Sequence, residues 1–435
     1  MKSNPKSYDK PNDFDLLTLT VVSNRGGDPV SLISQFVELD IYENIFDNKL
    51  FGEVVIADSL NYSGTIPLVG NETIQVSYRT RGTTDIVTLT GKVFAVRGLG
   101  RSTNEKGQVY KLQFVSDIQY KNGMMRVACS KKGTIGKMVR DLFIENFTSD
   151  ADIKKLHEIG DTGSKTFKFI FPYWSPLDCM NWLAYRAFSP GTTPSNPSCF
   201  VFYEDVDGFH FTDIMSKVEN RPKMKFRYEP NNAANQTDVN RFLEKTQEYT
   251  VRSYFDRLKE YKMGMYSSVL YTHDITTKKF KSNEVNYDDI FGSSKHLNKY
   301  PLLPATEKSM KQTNIGNMAL LPVQNKKFDD VAENETPEKF FQYRNSLLEQ
   351  FNTIRLTKMV AGNSSLRLLD VIEFDIPKAG YLSENEQDWV DPYLSGRYLI
   401  FGIKHTISND PEIGYRTIID IAKDSLIKGI PDKFE

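Results

Sequence analysis

The sequence predicts an α+β protein, predominantly β, in which two antiparallel β-domains flank a smaller mixed domain. Three observations carry this reading. Short period-two runs crowd the first 125 residues, the apolar period becomes helical near Lys131, and period-two runs return from about Asn240. The implied divisions are a flexible arm over 1–13, a first β-domain over 14–125, an α+β middle domain over 126–228, a second β-domain over 229–425 and a tail over 426–435.

The arm is polar and contains Pro5 and Pro11. In "QFVELDIYENI", Val37, Leu39 and Ile41 share one strand face and Glu38 and Asp40 the other. "LFGEVVIADS", "ETIQVSYRT", "DIVTLTGKVFAVRG" and "VYKLQFVSD" follow, separated by turn-forming "NYSG", "VGNE" and "STNEKG". No helix is expected among them, so the domain reads as an antiparallel barrel or sandwich. In "GTIGKMVRDLFIENF", Ile135, Met138, Val139, Leu142 and Phe143 have helical spacing behind a Thr134 cap. "SPLDCMNWLAYRAF" signals a second helix, with Ser175 as cap, Pro176 at the first helical position and Asp178 at the positive helix end. After the Pro-rich loop "SPGTTPSNPS", "CFVFYEDVDGFHFTDI" reads as a hairpin turned by Asp207-Gly208.

In the second β-domain, "EYTVRSYF" is expected to be extended, "FDRLKEYK" a short helix and "MYSSVLYTHDI" a strand. Residues 283–335 are polar, rich in Asn and Lys and without clear periodicity, and read as a long excursion or partner-binding arm. Thr336-Pro337 caps a helix through "EKFFQYRNSLLEQF", and "IRLTKMVAG" and "DVIEFDIP" are strands. The last pair is "SGRYLIFGIKHTIS" and "YRTIIDIAKDS". Leu399, Phe401, Ile403, His405 and Ile407 line one face of its first member.

Composition narrows the function. Apolar residues make up 39% and charged residues 26%, as in an ordinary globular protein. With 55 basic and 56 acidic residues the net charge is −1, which argues against a dedicated nucleic-acid binder. Three widely spaced cysteines (Cys129, Cys179, Cys199) suggest neither a disulfide framework nor a zinc cluster, and fit a reduced cytosolic setting. The N-terminal stretch has no apolar signal core, and no run of about 18 apolar residues follows.

Motifs for chemistry are weak. His405 has apolar same-face neighbours and no nucleophile pattern, so a hydrogen-bonded structural histidine is expected. His157, His210, His273 and His296 are scattered and none falls in HExxH. Aligning "EDVDG" to a calcium loop puts Tyr203 and Ile214 at ligand positions, so a hairpin is expected instead. "GTIGK" lacks the spacing and following hydroxyl of a phosphate loop, and "RGLGRS" has no helix behind it; both are expected to be turns. No catalytic, cofactor-binding or metal-binding residue is assigned.

Taken in order, six stretches resemble the central baseplate hub proteins of contractile-tailed bacteriophages, which are similar to the base of type VI secretion spikes. They are "FVELDIYENIFDNKLFGEVVIADS", "FPYWSPLDCMNWLAYRA", "CFVFYEDVDGFHF", "GMYSSVLYTHDITTKKF", "LRLLDVIEFDIP" and "LSGRYLIFGIKHTIS…YRTIIDIAKDS", covering Phe36 to Ser425. There are two departures. Leu369 stands where a turn glycine is common in the family, and residues 283–335 match no part of its pattern.

The resemblance implies two tube-like barrel domains per chain and a homotrimer, so that six such domains form a pseudo-six-fold ring. That ring would adapt the tail tube, or its initiator proteins, above to the trimeric spike below. It would also contact baseplate wedge proteins and surround tape measure and DNA. The implied location is the virion tail baseplate, assembled in the host cytoplasm. Neither enzyme activity, a cofactor, a membrane anchor nor sequence-specific nucleic-acid binding is implied. Competing readings are a tail-associated cell-wall hydrolase and a glycan-binding β-protein. For the latter, Trp174, Trp182 and Trp389 are few and dispersed in sequence.

Overall fold

The computed structural model describes residues 12–431 except 66–67, 102–106, 148–154, 194–195, 230–242, 276, 293, 304–317, 324–335 and 381–388. The expected arm therefore lies outside the described residues up to its last two. Of those, Asn12 accepts the Tyr415 N–H at 2.8 Å through its carbonyl, and Asp13 pairs with Arg81 at 3.4 Å.

The first module contains β1 (Phe14–Val22), β2 (Val30–Ser31), β3 (Phe36–Asn44), β4 (Phe51–Asp58), β5 (Thr73–Thr80), β6 (Ile86–Arg101) and β7 (Gln108–Ser116). All joins are antiparallel, in the order β3-β4-β7-β6-β5-β1-β2. The sheet curls back on itself through the residues after β2. Leu32 N–H donates to the Leu19 carbonyl and Ala57 N–H to that of Gln35, both at 2.8 Å. Alternating residues such as Leu39, Ile41, Val54, Ile56, Val76 and Leu112 fill the interior, each contributing about 1.5–3 kcal/mol by burial. Phe114 lies over Gly52, where an added Cβ would come within 2.0 Å of its ring. A four-residue helix, α1 (Tyr62–Thr65), interrupts strands that were expected to run without one.

The middle module follows as α2 (Asp117–Met124), β8 (Val127–Gly133), α3 (Ile135–Asn146), β9 (Leu156–Ile159), β10 (Phe167–Trp174), α4 (Pro176–Arg186), β11 (Phe200–Glu204) and β12 (Phe209–Asp213). The two expected caps are made: Thr134 Oγ1 accepts from Lys137 N–H and Ser175 Oγ from Asp178 N–H. The predicted apolar stripe of α3 is buried against α4 and the Phe-rich strands β10 to β12. The β11–β12 turn differs from expectation. Neither Val206 nor Asp207 has positive φ, so it is not a type I′ turn, and positive φ (140°) falls on the next residue, Gly208. The Asp205 carboxylate holds the turn by accepting the Asp207 and Gly208 N–H groups at 2.9 and 3.1 Å.

The second module comprises β13 (Met224–Tyr228), β14 (Lys245–Tyr254), α5 (Arg257–Lys262), β15 (Ser267–Asp274), β16 (Lys279–Asn286), α6 (Tyr287–Phe291), β17 (Met318–Pro322), α7 (Phe341–Thr353), β18 (Ile354–Ala361), β19 (Val371–Asp375), β20 (Gly396–Ser408) and β21 (Tyr415–Lys423). Six strands close a barrel in the order β14-β18-β21-β20-β19-β13, antiparallel except where β13 joins β14 and β19 in parallel. Leu369 adopts φ 61° just before β19 while its side chain is buried. The leucine thus takes the conformation a glycine usually supplies, and its burial offsets the strain.

Two expectations here need correction. Thr336 makes no side-chain cap bond; a 3-10 turn, Pro337–Lys339, precedes α7 instead. Residues 283–292 and 294–303 are folded, through β16, α6 and the buried Leu297, Leu302 and Leu303. Its polar residues bind backbone, which hid the fold in the sequence: Asn298 donates to the Arg397 and Ser425 carbonyls at 3.1 Å. Residues 304–317 and 324–335 lie outside the described residues.

Candidate functional site

The two β-modules share one sheet. β20 pairs antiparallel with β3 from Gly402↔Asn44 to Ser408↔Glu38, so the barrels meet along a strand seam inside one chain. One face of this wall packs on the cores and the other is open and polar. On the open face, Asp40 accepts from Thr406 Oγ1 at 2.7 Å and pairs with Lys404 Nζ at 3.0 Å across the seam. Further along, Glu53 pairs with Lys111 at 2.6 Å and accepts from Gln113 at 2.9 Å, and Thr357 donates to Asp420. Exposed pairs of this kind contribute little stability but fix register. Two carboxylates of the open face, Asp40 and Glu53, are thus paired with lysines across strands.

Beneath the seam lies a buried polar cluster. Tyr415 Oη is 2.8 Å from His405 Nδ1, and His405 Nε2 is 3.3 Å from Glu43 Oε1. The other Glu43 oxygen accepts the Val206 N–H at 3.0 Å, from the middle-module hairpin. Burial pushes the Glu43 carboxyl above its usual range, and the His405 contact opposes it. Beside it, Glu204 accepts the Leu50 N–H at 2.8 Å and is pushed up to about 8 by burial. Arg367 clasps Asp207 at 2.6 and 3.1 Å. Glu43 and His405 are fully enclosed, with the Tyr78 ring packed on His405. The cluster ties both β-modules to the hairpin of the middle one. His405 is thus the structural histidine that its strand pattern suggested.

The other sequence candidates separate. "EDVDG" is the hairpin tip described above, and "GTIGK" is the capped start of α3. "RGLGRS" was expected as a turn, but Arg97–Gly100 lie in β6, at a bulge. Trp174 and Trp182 come together at 5.8 Å, packed with Phe169 and Phe171 and covered by the Arg186 guanidinium, rather than forming an open platform. Among the described residues, no group of three or more His, Cys, Asp or Glu side chains is arranged to hold a metal ion. No helix among them is long and apolar enough to cross a membrane.

One arrangement was invisible in the sequence. His296 Nδ1 lies 2.8 Å from Asp424 Oδ2, and Nε2 lies 3.0 Å from Ser294 Oγ. Its outline is that of a nucleophile triad, but the hydroxyl donates to the Ile290 carbonyl at 2.5 Å, and Nε2 also faces the Phe291 carbonyl at 3.1 Å. A base ready to take the serine proton needs neither contact. Asp424 Oδ1 and Ser425 Oγ also accept the Leu297 and Asn298 N–H groups, at 3.1 and 2.7 Å. The trio pins the 294–298 segment to the end of β21.

Lys423, next to it, gives a measurable pH dependence. Its ammonium is fully buried, donates to the Tyr393 and Ser395 carbonyls at 2.5 and 2.8 Å, and is pushed down to about 7 by burial. Between pH 7 and 10.5 the unfolded chain then binds the proton that the folded chain releases, so this residue makes stability rise with pH. Chemical denaturation at pH 7.5 and 9.5 should show a rise on the order of 1–3 kcal/mol, reduced in Lys423→Met.

No protein-family model matches the chain. It is 21% identical over 434 residues to "Probable baseplate hub protein gp334" of Vibrio phage KVP40, covering 96% of each. A tail protein from Neisseria meningitidis shares its fold with TM-score 0.55 at 10% identity, over 95% of this chain and 97% of the other. The 43 kDa tail protein of prophage MuSo2 from Shewanella oneidensis does so with TM-score 0.53 at 10% identity, over 94% and 99%. The chain resembles phage baseplate hub proteins in sequence and phage tail proteins in fold, from end to end.

Proposed function

We propose that this chain is a structural hub of a phage tail baseplate, acting as a homotrimer that adapts a six-fold tail tube to a three-fold spike. The observation that carries this is the β3–β20 seam, which makes one chain a pair of barrels sharing a sheet. Three such pairs make six barrels around an axis. The domain division expected from the sequence, 14–125 and 229–425 as ring modules with 126–228 bracing them, fits with one adjustment: Met224–Tyr228 form β13, which pairs with β14 and β19 and so belongs to the second ring module. The open face, where Asp40 and Glu53 are paired with Lys404 and Lys111, would line a channel for tape measure and DNA. Wedge proteins and tube or tube-initiator proteins are the further partners of this reading. The role in this reading is non-enzymatic, which fits the Ser294 hydroxyl donating to the Ile290 carbonyl rather than to His296.

Light scattering tests it. Three 49.9 kDa chains give a species of about 150 kDa, expected for the chain alone or after mixing with the spike protein of the same particle. A chain that stays near 50 kDa with that spike present would overturn the hub reading.

A further inference from the structure

The β11–β12 hairpin of the middle module is held by the first module on two sides. On one side the Val206 N–H at its tip donates to Glu43 of β3 at 3.0 Å. On the other side Glu204, the last residue of β11, enters a cleft against β6 and β7. There it accepts the Leu50 N–H at 2.8 Å and bonds the Ser116 hydroxyl. Ser116 also caps α2, accepting the Gln119 N–H at 3.2 Å through its oxygen, which leaves the hydroxyl hydrogen for Glu204. Neither of these donors carries a charge, and the Glu204 side chain is buried. A carboxylate is costly in such a place and a neutral carboxylic acid much less so. The cleft, lined also by Thr88, Thr90, Lys155 and Gly208, is partly open, so protons reach Glu204 without unfolding.

We propose that Glu204 is a proton-operated latch between the middle module and the first barrel: as a neutral acid it lets the hairpin seat in the cleft, and on ionisation it loosens that seat. The latch goes beyond the hub reading and acts within one chain, whatever its oligomeric state. The surrounding charges set its balance. Asp205, next on the tip, opposes a charge on Glu204, and Lys155, before β9, favours one at longer range. Asp205 Oδ1 already accepts the Asp207 and Gly208 N–H groups and lies 3.0 Å from His210 Nε2 on β12. Asp207 is clasped by Arg367, and Glu43 faces His405. The strands β6 and β7 face the cleft with the hydroxyls of Thr88, Thr90 and Ser116, while Asp117–Lys121 and Asp47–Lys49 beside it pair with each other. Burial accordingly pushes the Glu204 carboxyl from its usual 4.5 up to about 8. A group raised in this way stabilises the fold fully below the usual value and loses that contribution as the pH climbs through about 8. The latch is therefore firm in mild acid and slack in mild alkali, opposite in sign to Lys423.

The test compares the full chain with Glu204→Gln, whose amide keeps an acceptor for the Leu50 N–H and cannot ionise. Melting temperatures are measured for both at about pH 6 and pH 9, and the difference between the two chains is followed, so that Lys423 and every other shared group cancels. That difference should move in favour of the glutamine chain by at least about 2 °C from the lower pH to the higher. Hydrogen exchange supplies the local readout. Corrected for the intrinsic pH dependence of exchange, the Leu50 and Val206 amides of the wild type should lose at least about tenfold of their protection over this range. In Glu204→Gln they should keep it. A merely structural glutamate would shift the melt equally at both pH values and leave protection unchanged, and that result would overturn the latch. So would a glutamine chain that loses ground as the pH rises. If the glutamine chain does not fold, wild-type exchange decides: steady protection at Leu50 and Val206 overturns the latch, and a tenfold or so loss there with Val76 of β5 still protected supports it.

Discussion

Phe401→Asp is expected to unfold the second barrel, not merely to detach one copy from another. Phe401 is 1% exposed and lies inside the second-module core, with its ring 5.3 Å from that of Phe351 and edge-on to Phe46 at 5.7 Å. The Phe46 contact comes from the loop after β3, so the substitution also strikes the seam between modules. Removing the ring forfeits about 1.5–3 kcal/mol of burial. An unpaired carboxylate in its place costs several kcal/mol more. Against a total stability of about 5–15 kcal/mol, this leaves little. Thermal melting followed by circular dichroism should lose its main cooperative transition or shift it down by at least 10 °C or so. A variant with the wild-type melt but no oligomer would instead place Phe401 on the copy-to-copy surface, contrary to its burial.

The sequence showed strands and caps better than it showed what they meet. Period-two runs located β3 to β7, β18 and β21 because each has one face largely against a core and one open, which is the condition for alternation; β20 alternates only in its second half, since Tyr398–Ile403 are all buried and a bulge at Ile400–Gly402 breaks the period. Thr134 and Ser175 were legible because a cap bonds within three residues. The centre was not. Glu43 and His405 are more than 300 positions apart, and each alone looks like one polar residue on an apolar strand; only the β3–β20 register brings them within 3.3 Å. His296 and Asp424 were hidden in the same way. Residues 283–292 and 294–303 lacked periodicity because they follow the body through side-chain bonds to backbone instead of presenting a repeating apolar face. Leu369 marked a real turn, since the backbone keeps positive φ with a leucine in the glycine's place.

Gly208→Val should be strongly destabilising although the residue has no side chain of its own. Backbone strain and a steric clash both contribute. Gly208 has φ 140°, where a β-branched residue is strained by roughly 1–3 kcal/mol. Its Cβ would also lie 2.3 Å from the Lys155 carbonyl oxygen and 2.7 Å from His157 Cδ2. That carbonyl cannot simply move aside, because it accepts the Phe209 N–H at 2.6 Å where β9 meets β12. Relieving the clash means displacing the hairpin. The displacement would pull Val206 N–H from Glu43 and Asp207 from Arg367, the two bonds that seat the hairpin under the seam. A loss of roughly 3–5 kcal/mol is expected, read as a drop in the melting temperature. Gly208→Ala isolates the branch, since it keeps both the positive φ and the clash at Cβ and removes only the γ-methyl groups. Alanine should lose most of what valine loses. A harmless alanine beside a damaging valine would show that the γ-methyl groups do the damage and that the hairpin has room to shift at Lys155.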